Sequence, residues 1–377
     1  MKFFHLSDLH LGKRLYHFSL LEEQAYLFDE ILALVQEEKP DAVLISGDLY
    51  DKKTPSTEAV NLLDDFLTRL SQAALQVFVI AGNHDSAERL AFGHRLMDAS
   101  GIHIAPAFQG QVHHYSLYDE AGPVHFYLLP YLNPALVRAY YPDAACSSYN
   151  EALALVLEDL PLRPSERNVL ITHQFVGGAQ RSDSEQLVVG GLDQVDGAIF
   201  SAFDYVALGH IHKPQDMAGK RIRYCGSPLK YSFSEARQVK SLTIVETTDK
   251  DTWSRKIRPL SPLHDLKEKR GCFSDLMAEA EEDPAAKKDY FHITLTDDHD
   301  IPSALAKLRS RYPRLMLLDY DHQKNEDHGP LTRSETVQAQ PNDLFARFFE
   351  EQNGKPLSAQ QKTFVTDLFR QLEEEEG

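Results

Sequence analysis

The chain has 377 residues, 42% hydrophobic and 25% charged, the composition of an ordinary globular protein with room for two or three domains. Its formal net charge of -18 excludes a generally basic surface that would hold nucleic acid through Lys and Arg alone, although bound divalent cations reverse the sign of an acidic pocket and a partner can supply basic surface. No apolar run is long enough to span a bilayer, and Cys146, Cys225 and Cys272 form no C-x-x-C pair, so neither a disulfide framework nor a zinc knuckle is indicated and a reducing cytoplasm fits.

From the start to residue 262, apolar strand-like runs alternate with helical stretches. Met1 to Ser7 is too short for a signal peptide and reads as a first strand, Lys2 to Leu6. Further strands are expected at Ala42 to Ser46, Val77 to Ala81, His125 to Leu129, Val169 to Thr172, Tyr205 to Leu208, Ile222 to Cys225 and Leu242 to Val245. Gln24 to Glu37 and Thr57 to Leu70 repeat apolar residues at helical spacing with acidic residues opposite. The pattern is α/β.

Residues 263 to 320 read as a small α+β module: strand Leu263 to Glu268, helix Phe273 to Glu282, strand Tyr290 to Thr296, helix Pro302 to Arg311 and strand Leu315 to Tyr320. Residues 321 to 341 are polar and read as a linker. Residues 342 to 377 then suggest a helical hairpin, with Leu344, Phe345, Phe348 and Phe349 on one helix and Phe364, Val365, Leu368, Phe369 and Leu372 on the next. The turn Asn353-Gly354-Lys355-Pro356 separates them, and Ser358 with Gln361 makes a capping box. Two helices this short need a further surface for their aromatic rings, and the preceding linker points to a partner protein.

Five strand-like runs close on blocks of metal-ligand-type side chains: Asp8-Leu9-His10, Gly47-Asp48, Gly82-Asn83-His84-Asp85, Thr172-His173 and Gly209-His210-Ile211-His212. Each block alone is a weak signal. In order, at the carboxyl ends of strands where open α/β sheets place their sites, they specify a two-metal phosphoesterase. Two ions about 3.5 to 4 Å apart need one shared carboxylate, and Asp48, alone in its block, is the candidate. Asp8, His10 and His212 would complete one site; Asn83, His173 and His210 would complete the other. A mixed oxygen and nitrogen donor set without thiolate suits manganese or iron. His84 is spare and is assigned to protonating the leaving oxygen, with the Asp51 carboxylate, or second Asp85, orienting its ring. Basic residues beside the blocks, Lys13, Arg14, Lys52, Lys53, Arg89, Lys230, Arg237 and Lys240, are candidate phosphate contacts for DNA. No G-x-x-x-x-G-K-[ST] loop is present, so no Walker-type ATP site is expected in this chain.

The five blocks resemble those of the calcineurin-like metallophosphoesterase superfamily. Leu6 to Gly12, Ile171 to Val176 running into Ser182-Asp183-Ser184-Glu185, and Tyr224 to Ser232 are similar to one branch of it, the nuclease subunits of bacterial SbcCD DNA-repair complexes. The resemblance implies a two-layer β-sandwich flanked by helices, a small capping domain and a partner-binding helical tail. It implies manganese-dependent exonuclease and endonuclease activity on DNA ends and hairpins, with ATP bound by an SbcC-like coiled-coil ATPase. It also implies a homodimer, formed through helices near Thr57 to Leu70 and Glu88 to Met97, whose apolar residues are Val60, Leu63, Phe66, Leu67, Leu90, Phe92, Leu96 and Met97.

Overall fold

The structure is a computed structural model that describes residues 1–144, 146–185, 193–217, 221–321, 345–346, 348–350 and 356–375. The chain divides into two compact units, Met1–Asp265 and Leu266–Gly377.

The first unit contains two six-stranded sheets. In one the order is Trp253–Pro259, Ser241–Thr247, Lys2–Leu6, Ala42–Ser46, Gln76–Ile80 and Ile102–Ile104. In the other it is Gln215–Asp216, Ile222–Tyr224, Tyr205–Gly209, Arg167–His173, Gly122–Leu129 and His113–Asp119. The central strands pair in parallel: Lys2–Leu6 with Ala42–Ser46 and that with Gln76–Ile80 in the first sheet, Gly122–Leu129 with Arg167–His173 and that with Tyr205–Gly209 in the second. Their carboxyl ends therefore lie along one rim of each sheet.

Side chains alternate across a strand, and every second residue of the central strands builds the layer between the sheets. Phe3, Leu44, Phe78 and Ile80 meet Val124, Phe126, Leu128, Ile171 and Ala207 there. The Phe78 and Phe126 rings stack with centroids 4.7 Å apart, and Phe3 meets Phe126 edge-on at 5.7 Å. The intervening residues Phe4, Val43, Ile45, Val77 and Val79 are also buried, which requires a cover on the outer face. Helices Leu21–Glu38 and Thr57–Gln72 bury Leu27, Phe28, Ile31, Leu63, Phe66 and Leu70, with Phe28 and Phe66 stacked at 3.9 Å. Strands covered on both faces read as continuous apolar runs, which is why they are visible in the sequence. All eight expected strands of this unit form. The edge strands His113–Asp119 and Trp253–Pro259 and the helix Tyr149–Glu158 are additions that the sequence reading does not contain. The two edge strands are half-exposed and rich in polar residues, so no apolar run marks them.

Of the residues implied to form a dimer face, Leu63, Phe66, Leu67 and Leu90 are buried within the unit itself. Val60, Phe92 and Leu96 are exposed, the last two by more than 80%.

In the second unit, Leu266–Gly271, Tyr290–Leu295 and Leu315–Tyr320 form a parallel sheet, with helices Phe273–Glu282 and Ala304–Arg309 packing Leu276, Ala280 and Leu308 on it. The first strand begins at Leu266 rather than the expected Leu263. Before it, the backbone N–H groups of Ser261 and His264 are taken by the carboxylates of Glu30 and Glu23 on the first helix, which removes them from any ladder. In the tail, Ala359–Glu375 is helical, and Ser358 and Gln361 exchange the reciprocal bonds of a capping box. Phe364 and Leu368 are exposed on that helix, while Phe345 and Phe369 rings lie 6.2 Å apart. The expected linker beyond Asp321, Leu344 and the Asn353 to Lys355 turn lie outside the described residues. Among the described residues, no helix is long and apolar enough to cross a membrane.

A partly buried ion pair ties the far edge of the second sheet to its centre. Arg167, 2% exposed, donates to both oxygens of Asp119, at 2.9 and 2.5 Å, and to Gly122 O at 2.7 Å. The Arg167 guanidinium holds the Asp119 carboxyl well below the usual carboxylate range, outweighing its partial burial. A depressed folded-state pKa contributes stability above the unfolded value of about 3.9 and loses it as pH falls below that value. Asp119→Ala strands a buried guanidinium and is expected to cost about 3 kcal/mol in urea unfolding at pH 7, a difference that shrinks below about pH 4.

Candidate metal centre

The rim where the two sheets' carboxyl ends meet gathers all five blocks. Lys2–Leu6 delivers Asp8 and His10, Ala42–Ser46 delivers Asp48, Gln76–Ile80 delivers Asn83, Arg167–His173 ends on His173, and Tyr205–Gly209 delivers His210 and His212. Asp8, His10, Asp48, His173, His210 and His212 are all buried. Asp8, His10, Asp48 and His210 adopt positive φ, at 55°, 43°, 51° and 97°, a region that costs a non-glycine residue about 1–3 kcal/mol. At these four positions the chain turns sharply, and each side chain is buried.

Close approach of backbones makes this convergence feasible. A Cβ on Gly209 would lie 2.0 Å from Ser46 O and 2.7 Å from His173 Nδ1. One on Gly82 would lie 2.1 Å from Asp48 Oδ1. Glycine is required at both positions because main-chain and ligand-residue atoms already occupy the space a Cβ would take.

The ring nitrogens and oxygens face one another rather than conventional hydrogen-bond partners. His10 Nε2 lies 3.0 Å from His212 Nε2. Asn83 Oδ1 lies 3.0 Å from both His173 Nε2 and His210 Nδ1. Asp48 Oδ2 stands between the two sets, 3.3 Å from His173 Nε2 and 3.7 Å from His10 Nε2. His10 Nδ1 is buried with no hydrogen-bond partner. Atoms that mostly offer lone pairs are poor partners for each other, but they are complementary as co-ligands of a cation. Asp8, His10 and His212, and separately Asp8, Asp48 and His173, are close enough to share an ion. The residues fit two divalent cations with Asp48 between them.

The surroundings hold these groups in place. His173 Nδ1 is 2.8 Å from Ser46 O; a carbonyl can only accept, so Nδ1 carries hydrogen and Nε2 faces the site. Asp8 accepts from Ser7 Oγ at 2.5 Å and from the His210 N–H at 3.0 Å. Gln24 on the first helix donates to His10 O at 2.8 Å, and the Tyr231 hydroxyl donates to Leu9 O.

The electrostatics show how much positive charge the site requires. Burial raises Asp8, and burial together with the charge of Asp48 pushes Asp85 up to about 6, against bonds from the Gly82, Tyr50 and Leu49 N–H groups. Burial would also raise Asp48, but neighbouring imidazoles, His173 foremost, hold it well below the usual range. Burial opposes charge on His173, yet Asp48 and Asp8 lift it to about 9. Burial and the charge of His173 then push His210 down to about 3.

His84 stands beside this centre, its ring 4.9 Å from that of His10 and its N–H bonded to Asp48 Oδ1 at 2.9 Å. The expected role of the Asp51 carboxylate needs correction. His84 Nδ1 donates to the main-chain carbonyl of Asp51 at 3.0 Å, whereas the Asp51 carboxylate pairs with Lys13 Nζ at 2.8 Å. Asp85, the second choice, accepts from three backbone N–H groups and props up the second and third blocks.

The basic residues divide by exposure. Arg14, Lys52, Lys53, Arg89 and Arg237 are exposed, with Arg89 reaching Thr54 Oγ1 at 2.7 Å. Lys13 is tied to Asp51, and Lys230 donates to Ala236 O at 2.6 Å and to Asp265 at 2.7 Å. Lys240 is the clear correction: only 4% exposed, it is bonded internally to Glu235 at 2.6 Å and His212 O at 2.8 Å, so it cannot meet a DNA phosphate. Sequence reasoning assigns no role to Gln24, Ser184, Glu235 or Arg181, whose guanidinium lies 3.5 Å over the Phe175 ring. Ser184 falls within a stretch singled out for resemblance, and Glu235 lies three residues past another.

The profile of the calcineurin-like phosphoesterase family matches residues 1–214, and one described as the type 5 capsule protein repressor C-terminal domain matches residues 261–353. Over 384 aligned positions covering 100% of each chain, the sequence is 31% identical to the SbcD component of the nuclease SbcCD from Staphylococcus epidermidis. Among solved structures, a dimetal phosphatase from Danio rerio is 13% identical with a TM-score of 0.45, over 69% of this chain and 96% of that one. The chain belongs to the calcineurin-like phosphoesterase family. Within that family, the full-length match places it in the SbcD group.

Gly209→Ala should lower stability by about 1–3 kcal/mol through overpacking and should reduce manganese binding measured by calorimetry. Asp51→Ala, which keeps the carbonyl that orients His84, is expected to lower turnover less than about tenfold, whereas His84→Gln lowers it by about 10² to 10⁴ with metal content retained.

Proposed function

We propose that the chain is the nuclease subunit of an SbcCD-type DNA-repair complex, hydrolysing DNA phosphodiester bonds at a two-metal centre. The observation that carries this reading is the two lone-pair clusters meeting at Asp48, in a chain whose full length matches a nuclease component of that kind. Asp8, His10 and His212 would hold one ion and Asn83, His173 and His210 the other, with Asp48 shared. The mixed oxygen and nitrogen donor set suits manganese or iron, and manganese is the metal that the resemblance implies. When bound, such a pair activates water and neutralises charge on the phosphoryl oxygens.

The chain's own residues supply the rest. His84 sits at the rim of the cluster with Nδ1 committed to Asp51 O, so Nε2 is the nitrogen left to give a proton to the departing sugar oxygen. Phosphate contacts along the DNA fall to the exposed Arg14, Lys52, Lys53, Arg89 and Arg237. The activities proposed are a 3'-5' exonuclease and a single-strand or hairpin endonuclease acting in double-strand-break repair, recombination and replication. The domain plan is a catalytic domain over 1–262, a capping domain over 263–320, a linker over 321–341 and a partner-binding hairpin over 342–377. That tail would dock an SbcC-like coiled-coil ATPase, in a heterotetramer built on a homodimer of this chain in the cytoplasm, at the nucleoid. The exposed Phe348, Phe364 and Leu368 support docking, and the exposed Phe92 and Leu96 support the dimer.

A stand-alone phosphodiesterase acting on small nucleotides is the second reading, favoured by the metal centre but leaving the second unit and the aromatic tail without use. Manganese-loaded protein is expected to cut a DNA hairpin; hydrolysis confined to small phosphodiesters would favour the alternative. Converting Lys52 or Lys53 to Ala is expected to reduce the salt dependence of DNA binding by about one unit of slope, while Lys240→Met leaves the slope unchanged and lowers stability.

A further inference from the structure

Behind His212 runs a chain of polar contacts that closes back on the His212 main chain. His212 Nδ1 is 2.7 Å from Ser184 Oγ. Ser184 Oγ in turn contacts Glu235 Oε1, and Glu235 Oε2 is 2.6 Å from Lys240 Nζ. Lys240 also reaches His212 O at 2.8 Å, Ser227 Oγ at 3.0 Å and Gln238 Oε1 at 2.9 Å. Glu235 is fully buried, and His212 and Lys240 are 2% and 4% exposed. Three segments distant in sequence are thus joined through one serine hydroxyl.

Counting hydrogens fixes the directions at Ser184 and His212. Lys240 can only donate, and its ammonium keeps Glu235 an anion, which can only accept. Ser184 has one hydroxyl hydrogen, so it goes to Glu235. The same oxygen must then accept from His212, which places a hydrogen on His212 Nδ1. Nε2 is left with its lone pair, and Nε2 is the nitrogen that lies 3.0 Å from His10 Nε2 inside the cluster. At His173 the same nitrogen, Nδ1, is directed by a single main-chain carbonyl, Ser46 O. His212 uses a charge-paired carboxylate, bonded through the Ser184 hydroxyl and itself 3.5 Å from Nδ1.

We propose that Ser184, backed by Glu235 and Lys240, is a positioning residue that locks His212 in its Nδ1–H tautomer with Nε2 aimed at the cation shared with Asp8 and His10. This rests on the dinuclear reading above and adds to it a determinant of affinity at one ion alone. Outer partners of ligating histidines typically change metal affinity about 10- to 100-fold when removed.

The test uses full-length protein. In metal-free protein with ¹⁵N-labelled histidine, assigned against His212→Gln, His212 is expected as the Nδ1–H tautomer, and Ser184→Ala is expected to give a tautomer mixture. Glu235→Gln, whose amide can donate to Ser184, is expected to shift His212 toward Nε2–H and serves if the alanine variant folds poorly. In manganese titrations, Ser184→Ala should keep one ion near wild-type affinity and weaken the other about 10- to 100-fold, with Ser184→Thr restoring it. Two ions bound by Ser184→Ala at wild-type affinity, or a wild-type His212 protonated on Nε2, would overturn the proposal. A wild-type protein that binds no manganese would instead sink the dinuclear reading, and the histidine spectra would still decide the role of Ser184.

Discussion

Asp48 is the point on which the structure turns: a carboxylate buried at the meeting of two sheets, with imidazoles of both clusters within 3.7 Å of one of its oxygens. An isolated buried carboxylate is costly, and the chain offsets that cost with surrounding imidazoles in a geometry that suits cations. The strained turns at Asp8, His10, Asp48 and His210 follow from the same demand. Each would relax alone. Packed strands behind them and glycines with no room for a Cβ hold them together.

The sandwich can be understood as the support this cluster requires. Central strands covered on both faces are stiff, and their parallel pairing brings the carboxyl ends onto one rim. The outer helix takes part directly, since Gln24 reaches from it to the His10 carbonyl. Beyond the rim, Glu23 and Glu30 of that helix tie down the segment that leads out of the first unit. Core packing, ligand placement and the exit of the chain therefore share one helix.

Much of this is legible in the sequence because burial on both faces writes an apolar run, and a polar ligand at its end stands out. The strands before Asp8, Asp48, Asn83, His173 and His210 show this. Edge strands such as Trp253–Pro259 mix half-buried and exposed charges among few apolar residues and leave no such mark. Direction is illegible too. Proximity in sequence groups Lys240 with the phosphate-binding residues, but its side chain turns inward to Glu235. Asp51, expected to meet His84 through its carboxylate, meets it through its carbonyl, which no residue type reveals. Ser184 and Glu235 meet only because two loops fold over His212, a contact without local periodicity.

The most direct measurement is anomalous scattering from crystals of the protein soaked in manganese. The account predicts two peaks about 3.5 to 4 Å apart on either side of the Asp48 carboxylate, one beside His10 and His212 and one beside His173 and His210. A single peak away from Asp48, or none, would contradict it.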